Sequence, residues 1–142
     1  MSDEEVRDFL AEKMVMQCAT NGPRGVPHVI PLWFTYPDLT SWTYAKSQKA
    51  VNLERDPRAT LGFEEGVQYH ELRGVMLECD VLVERDATEV EQFGLALFAR
   101  YAGELNDEIR EMVAKQAQKR VGLTFVPTRT VTWDHRKLHG TY

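Results

Sequence analysis

The segment Thr43-Tyr-Ala-Lys-Ser-Gln-Lys49 places two lysines and a serine hydroxyl where a strand-like run gives way to a helix-like one. Such a junction exposes unpaired backbone N–H groups and the positive end of a helix dipole, both of which favour an anion. Lys46 and Lys49 add mobile charge and Ser47 a short donor, so the segment suits a phosphoryl group. The same residues also describe an ordinary helix start with Ser47 as its cap and two solvated lysines. A second candidate is Pro27-His-Val-Ile-Pro-Leu-Trp-Phe34. Proline cannot donate to a sheet ladder, so Pro31 marks an edge, a bulge, or backbone against which something other than a strand lies. With Trp33 two residues on and free carbonyls alongside, this strand would suit a flat heteroaromatic ring. A core strand with a local bulge would carry the same residues.

Other chemistries lack their patterns. There is no G-x-G-x-x-G, no P-loop and no H-E-x-x-H. His28, His70, His135 and His139 are not at metal-ligand spacings; His135 and His139 are four apart but follow the last strand, so no metal site is expected. Glu64-Glu65 stands beside Gly66 and reads as a solvated turn.

The elements that must position the candidates follow from periodicity and punctuation. Ser2 and Glu5 fit a capping box, and Val6, Phe9, Leu10 and Met14 recur at helical spacing behind it. Strand-like runs occupy residues 15–20, 26–36 and 41–45, with turns at 21–25 and at Pro37-Asp38. Ala50, Val51 and Leu53 give a short helix that Asp56-Pro57 ends. Strand character returns over 58–63 and 72–83. Residues 87–101 and 106–120 then read as two amphipathic helices separated by Gly103, and 121–134 as a last strand that alternates around Pro127. Five or six strands with few helices between the early ones exclude a doubly wound parallel sheet and predict a small antiparallel barrel.

The composition bounds the function. The chain has 142 residues, 17 basic and 22 acidic, a formal net charge of −5, which is expected to form one domain, 1–142, with a single core. An acidic balance argues against nucleic acid as partner. No apolar run approaches the ~20 residues of a membrane span, and the acidic start has no signal-peptide character. Cys18 and Cys79 sit in apolar runs without a C-x-x-C partner, so buried reduced thiols and a cytoplasmic location are expected.

Taken together these segments resemble the FMN-binding split-barrel superfamily, which includes pyridoxamine 5′-phosphate oxidase and the flavin- or deazaflavin-dependent oxidoreductases. The resemblance runs from about residue 15 to 83 and returns at Trp133. Its best-matched stretch is Trp42-Thr-Tyr-Ala-Lys-Ser-Gln-Lys-Ala-Val-Asn-Leu-Glu-Arg-Asp-Pro-Arg58. It implies a mainly β fold with α, a six-stranded antiparallel split β-barrel with peripheral helices. It also implies a cofactor phosphate held by Ser47 and Lys49, with Thr43 at the same end and Lys46 and Gln48 beside it. The ring would lie along His28, Ile30, Pro31, Leu32 and Trp33. Three family cations are replaced here, by His28, Trp33 and Gln48, which argues against pyridoxamine phosphate oxidation itself. Pro-x-Trp-Phe followed by S-x-K-x-x-N-L is instead similar to the branch that uses coenzyme F-420. The resemblance thus implies F-420, with FMN next, hydride transfer to a small organic substrate, and a homodimer in which Trp133, His135 and Arg136 reach the partner's cofactor or line the substrate pocket. A non-catalytic FMN- or haem-binding carrier or sensor is the alternative within the same fold.

Overall fold

A computed structural model describes residues 1–141. Helix α1 (Asp3–Glu12) opens on the expected box: the Ser2 hydroxyl accepts from Glu5 N at 3.2 Å, and Ser2 N donates to the Glu5 carboxylate at 2.6 Å. It stops short of Met14 because Lys13 is already extended. Then come β1 (Met16–Asn21), β2 (Pro27–Leu32), β3 (Thr40–Tyr44), α2 (Gln48–Arg55), β4 (Arg58–Glu65), β5 (Arg73–Glu84), α3 (Ala87–Ala102), α4 (Asp107–Ala117) and β6 (Arg120–Asp134).

All six strands join one antiparallel sheet in the order β2-β1-β4-β5-β6-β3. It curls into a half-barrel whose two free edges are β2 and β3. The inward face carries Met16, Cys18, Leu61, Phe63, Val75, Leu77, Leu123 and Phe125, all buried. Pro31 therefore stands on an edge strand, where a missing N–H costs no ladder bond. Pro127 is accommodated in another way: β3 pairs β6 only over residues 120–124, and the β5 register slips between Glu78 and Cys79.

Two expectations are corrected. The second strand ends at Leu32 rather than Tyr36, because Phe34 turns into the core and packs edge-on to Phe63 at 5.0 Å. Glu64-Glu65 is no solvated turn but the end of β4, and Gly66, at φ 105°, makes the turn. Glu65 is bound by both Lys13 and Arg73, whose charges lie 4.6 and 5.0 Å from the Phe9 ring.

Long-range polar contacts fix the helices. The last turn of α1 has no basic residue of its own, and Arg100 of α3 supplies the charge. Its guanidinium donates to Lys13 O at 2.8 Å, Ala11 O at 3.2 Å and Leu10 O at 3.4 Å, and to Phe34 O, while lying 4.4 Å over the Phe34 ring. Helix α3 docks on the outer side of β3 through Trp42, whose ring covers Gly94. A Cβ there would meet Trp42 Cζ3 at 2.4 Å and Val113 Cγ1 at 2.8 Å. Gly94→Ala is thus expected to destabilise by about 1–3 kcal/mol, the overpacking cost outweighing the ~1 kcal/mol that alanine normally adds to a helix interior. A denaturant midpoint equal to or above wild type would refute the wedge.

Cys18 and Cys79 are both buried and unpaired, and burial pushes each thiol up to about 12. Among the described residues no helix is long and apolar enough to cross a membrane.

Candidate functional site

The loop from β3 into α2 turns on Ser47, whose hydroxyl caps the helix by accepting from Ala50 N at 3.2 Å. One turn of register then decides the site. Lys49 is the second residue of α2 and points inward, only 8% exposed, while Lys46 and Gln48 face solvent. The Lys49 ammonium donates to Thr43 Oγ1 at 3.1 Å, and Thr43 Oγ1 lies 3.3 Å from Ser47 Oγ. Among the described residues no carboxylate reaches Lys49. Burial pushes its pKa down; the Cys18 thiol acts the other way and the charge of Arg120 adds to the depression. An ammonium has three donors, and here one is used. An anion entering this corner would meet a cation, two hydroxyls and the N-terminus of α2 together.

The second predicted segment forms the edge strand β2, paired to β1. His28, Ile30 and Leu32 of β2 share the inward face and pair in register with Thr20, Cys18 and Met16. Thr20 accepts from Asn52 Nδ2 at 3.0 Å, and Asn52 Oδ1 accepts from Gln48 Nε2 at 2.7 Å, so α2 is tied to the strand beside His28. His28 Nδ1 is buried with no hydrogen-bond partner, the one such side-chain atom among the described residues. Pro31 points to the opposite face, and Trp33 leaves the sheet altogether. Its indole, 47% exposed, stacks on Tyr101 at 4.2 Å and 8°, and its carbonyl accepts from Ser41 Oγ at 2.7 Å. One face of the ring is thereby covered by Tyr101.

The structure does not bring Trp133 to these residues within one chain. Thr43 pairs with Val121 on β6, and Trp133 lies 133 − 121 = 12 residues further along the same strand, roughly 40 Å of strand. It packs instead over Gly74, where a Cβ would stand 2.3 Å from its ring. Beyond it, His135 Nδ1 lies 2.8 Å from Tyr69 O, and Arg136 pairs with Asp134 at 2.7 Å, holding that carboxyl at about 2. His70, His135 and His139 line one hollow, yet no group of ligating side chains among the described residues is placed to hold a metal.

Arg120 escaped the sequence reading. Its guanidinium rests 4.0 Å from the Tyr44 ring and 4.7 Å from Trp42, on the outer face of the β3–β6 end, the face opposite to Thr43. The signal available was indirect: two aromatics flanking Thr43, and an arginine opening an apolar strand.

A curled six-stranded antiparallel sheet with two free edges defines a split-barrel protein. The chain belongs to the pyridoxamine 5′-phosphate oxidase family, whose model matches residues 2–134. Among solved structures it is similar to a conserved hypothetical protein of Mycobacterium tuberculosis, 39% identical over all of this chain and 90% of the other, with a TM-score of 0.87. An F-420 reductase is 23% identical over 92% of this chain and 98% of its own, TM-score 0.73. A haem storage protein of Vibrio cholerae is 19% identical over 93% of each chain, TM-score 0.70. No curated protein matches the chain. The same barrel thus occurs in a reductase and in a storage protein.

Proposed function

We propose that this chain is a cytoplasmic oxidoreductase that binds a flavin-type cofactor, coenzyme F-420 in preference to FMN, and acts on a small organic substrate as a homodimer. The observation that carries the proposal is the buried Lys49 ammonium without a carboxylate, beside Thr43 and Ser47. A desolvated cation without a counter-ion is costly, and a phosphoryl group supplied by a ligand offsets that cost. The preference for F-420 is supported by the Pro-x-Trp-Phe and S-x-K-x-x-N-L segments and by the fold shared with an F-420 reductase.

A bound cofactor of this type supplies hydride chemistry. The chain's own residues bind and orient. Lys49, Thr43 and Ser47 would hold the phosphoryl end, with Lys46 adding charge from the surface. His28 Nδ1, unpartnered on the inward face of β2, offers a hydrogen bond to the same ligand. The half-exposed indole of Trp33 offers a stacking surface, and the free edges of β2 and β3 offer backbone groups to a planar ring. Because Trp133 lies far along β6, its part in a site falls to a second copy of the chain.

Titrating the apo protein with FMN and with F-420, followed by fluorescence, tests the cofactor. F-420 is expected to bind more tightly; FMN binding at least tenfold tighter, about 1.4 kcal/mol, would reverse the preference. Turnover tests the enzyme: reduced cofactor in the complex is expected to be oxidised by some member of a panel of enones, quinones or tetrapyrroles. A complex that no panel member oxidises is a carrier.

A further inference from the structure

We propose that Asn52 is the positioning residue of the Lys49 site: its amide fixes the rotation of α2 that turns Lys49 into the barrel, and its neutrality leaves the ammonium's charge for a ligand. The inference rests on the anion reading of Lys49 and adds the residue that makes it possible.

Helix α2 does not dock on its most apolar side. At about 100° per residue its apolar side chains, Ala50, Val51 and Leu53, centre near Ala50. The buried arc runs instead through Asn52, Lys49, Leu53 and Ala50, with Lys49 near its middle, and Val51 is left 44% exposed. The helix is thus rotated by roughly a quarter-turn from the docking that burial of apolar surface alone would choose. Lys49 is not what holds it there, because an ammonium that turns outward exchanges Thr43 for water and recovers its hydration.

Asn52 supplies the constraint. Its side chain is fully buried and bonded at both ends: Nδ2 donates to Thr20 Oγ1 at 3.0 Å, and Oδ1 accepts from Gln48 Nε2 at 2.7 Å and from the Arg55 guanidinium at 3.4 Å. Turning α2 to bury Val51 would break the bond to Thr20, whose side chain is itself buried at 2% exposure. A hydrogen bond is directional where apolar contact is not, so it selects one rotation of a two-turn helix that Ala50 and Leu53 would let slip. Asn52 follows Lys49 by three residues, which places the two side chains on one face a turn apart. The amide reaches Thr20, and the Lys49 ammonium lies within electrostatic reach of Cys18, two residues earlier on the same inward face of β1. A carboxylate at position 52 would stand beside the ammonium and pair with it. Asparagine makes the bond to Thr20 without supplying that counter-ion.

The test labels lysines and thiols in the whole protein, with the exposed Lys46 as the reference amine. Asn52→Leu is expected to raise acetylation of Lys49 by acetic anhydride from well below that of Lys46 to within twofold of it, while Cys18 stays as protected from iodoacetamide as in wild type. Thr20→Val, which removes the acceptor and keeps the shape, is expected to do the same, and Thr20→Ser to behave as wild type. In titrations with FMN, F-420 and riboflavin, the last lacking the phosphoryl group, Asn52→Leu and Thr20→Val are expected to weaken the tighter phosphorylated ligand at least tenfold and riboflavin less than twofold. Asn52→Asp is expected to keep Lys49 slow to label yet weaken the same ligand at least tenfold. Unchanged Lys49 labelling in both Asn52→Leu and Thr20→Val would show that packing alone sets the face of α2, and overturns the proposal. Faster labelling of Lys49 and Cys18 together would show that Asn52 only holds the helix down, and overturns it too, as does an unchanged affinity in Asn52→Asp. If the labelling is as expected but neither phosphorylated ligand binds wild type more tightly than riboflavin, the positioning stands and the anion reading of Lys49 fails.

Discussion

Lys49→Ala is expected to weaken binding of the proposed phosphorylated cofactor by about 1.5–3 kcal/mol, roughly 10- to 150-fold in Kd, the scale of a hydrogen bond to a charged group. The magnitude follows from burial: an ammonium already stripped of most of its water repays little desolvation when the anion arrives. The same burial makes the residue a liability in the ligand-free protein. Lys49→Met, similar in length and uncharged, is therefore expected to melt higher than wild type by roughly 3 °C or more while losing ligand affinity. A variant that loses affinity and stability together would show that Lys49 supports the fold through Thr43 and not a ligand.

The depressed pKa of Lys49 gives this liability a pH signature. In the unfolded chain a lysine titrates near 10.4, and in the fold Lys49 titrates below its ordinary value. Between the two values the unfolded chain carries the extra proton, so stability of the ligand-free protein rises with pH across that interval. Anion affinity falls across the same interval as the ammonium is lost. Lys49→Met should remove both slopes.

Arg100→Ala destabilises the protein by about 2–4 kcal/mol, a fall of roughly 8–12 °C in Tm. One guanidinium serves the last turn of α1, the carbonyl of Phe34 and the face of the Phe34 ring, so its removal takes a donor from Leu10 O, Ala11 O and Lys13 O at once and leaves Phe34 O to the Tyr101 hydroxyl alone. It also removes the positive charge at the C-terminal end of the α1 dipole. Arg100→Lys should recover only part of the loss, because a single ammonium cannot span Phe34 O and the α1 carbonyls together. A Tm within 2 °C of wild type for Arg100→Ala would show that α1 is held by Phe9 and Leu10 alone.

What could be read from the sequence was local. The Ser2-Glu5 box, the Ser47 cap, the Pro31 edge and the alternation of β6 each rest on contacts within a few residues or on a property of one side chain. The inward turn of Lys49 was not local. Ser47 and Lys49 are two apart on any helix, but which of Lys46, Gln48 and Lys49 faces the barrel depends on how α2 docks on β1, and Asn52 to Thr20 sets that across 32 residues. Glu65 misled for the same reason: beside Gly66 it has the look of a turn, and its two cations come from Lys13 and Arg73 on other elements. Arg120 and Arg100 were invisible because an arginine's partners here are ring faces and carbonyls 66 to 90 residues away, or on the neighbouring strand, and neither leaves a spacing to find.

Cys18 lies under the corner that Lys49 closes, and Cys79 shares its inward face. With pKa values of about 12, only about one thiol in 10⁵ is a thiolate at neutral pH, and at 0% and 3% exposure neither meets solvent. Their reaction with a thiol reagent is therefore gated by opening of the sheet and not by chemistry. The modification rate of Cys18 becomes a clock for how often α2 lifts from β1, and a ligand that bridges the corner slows that clock in proportion to its occupancy.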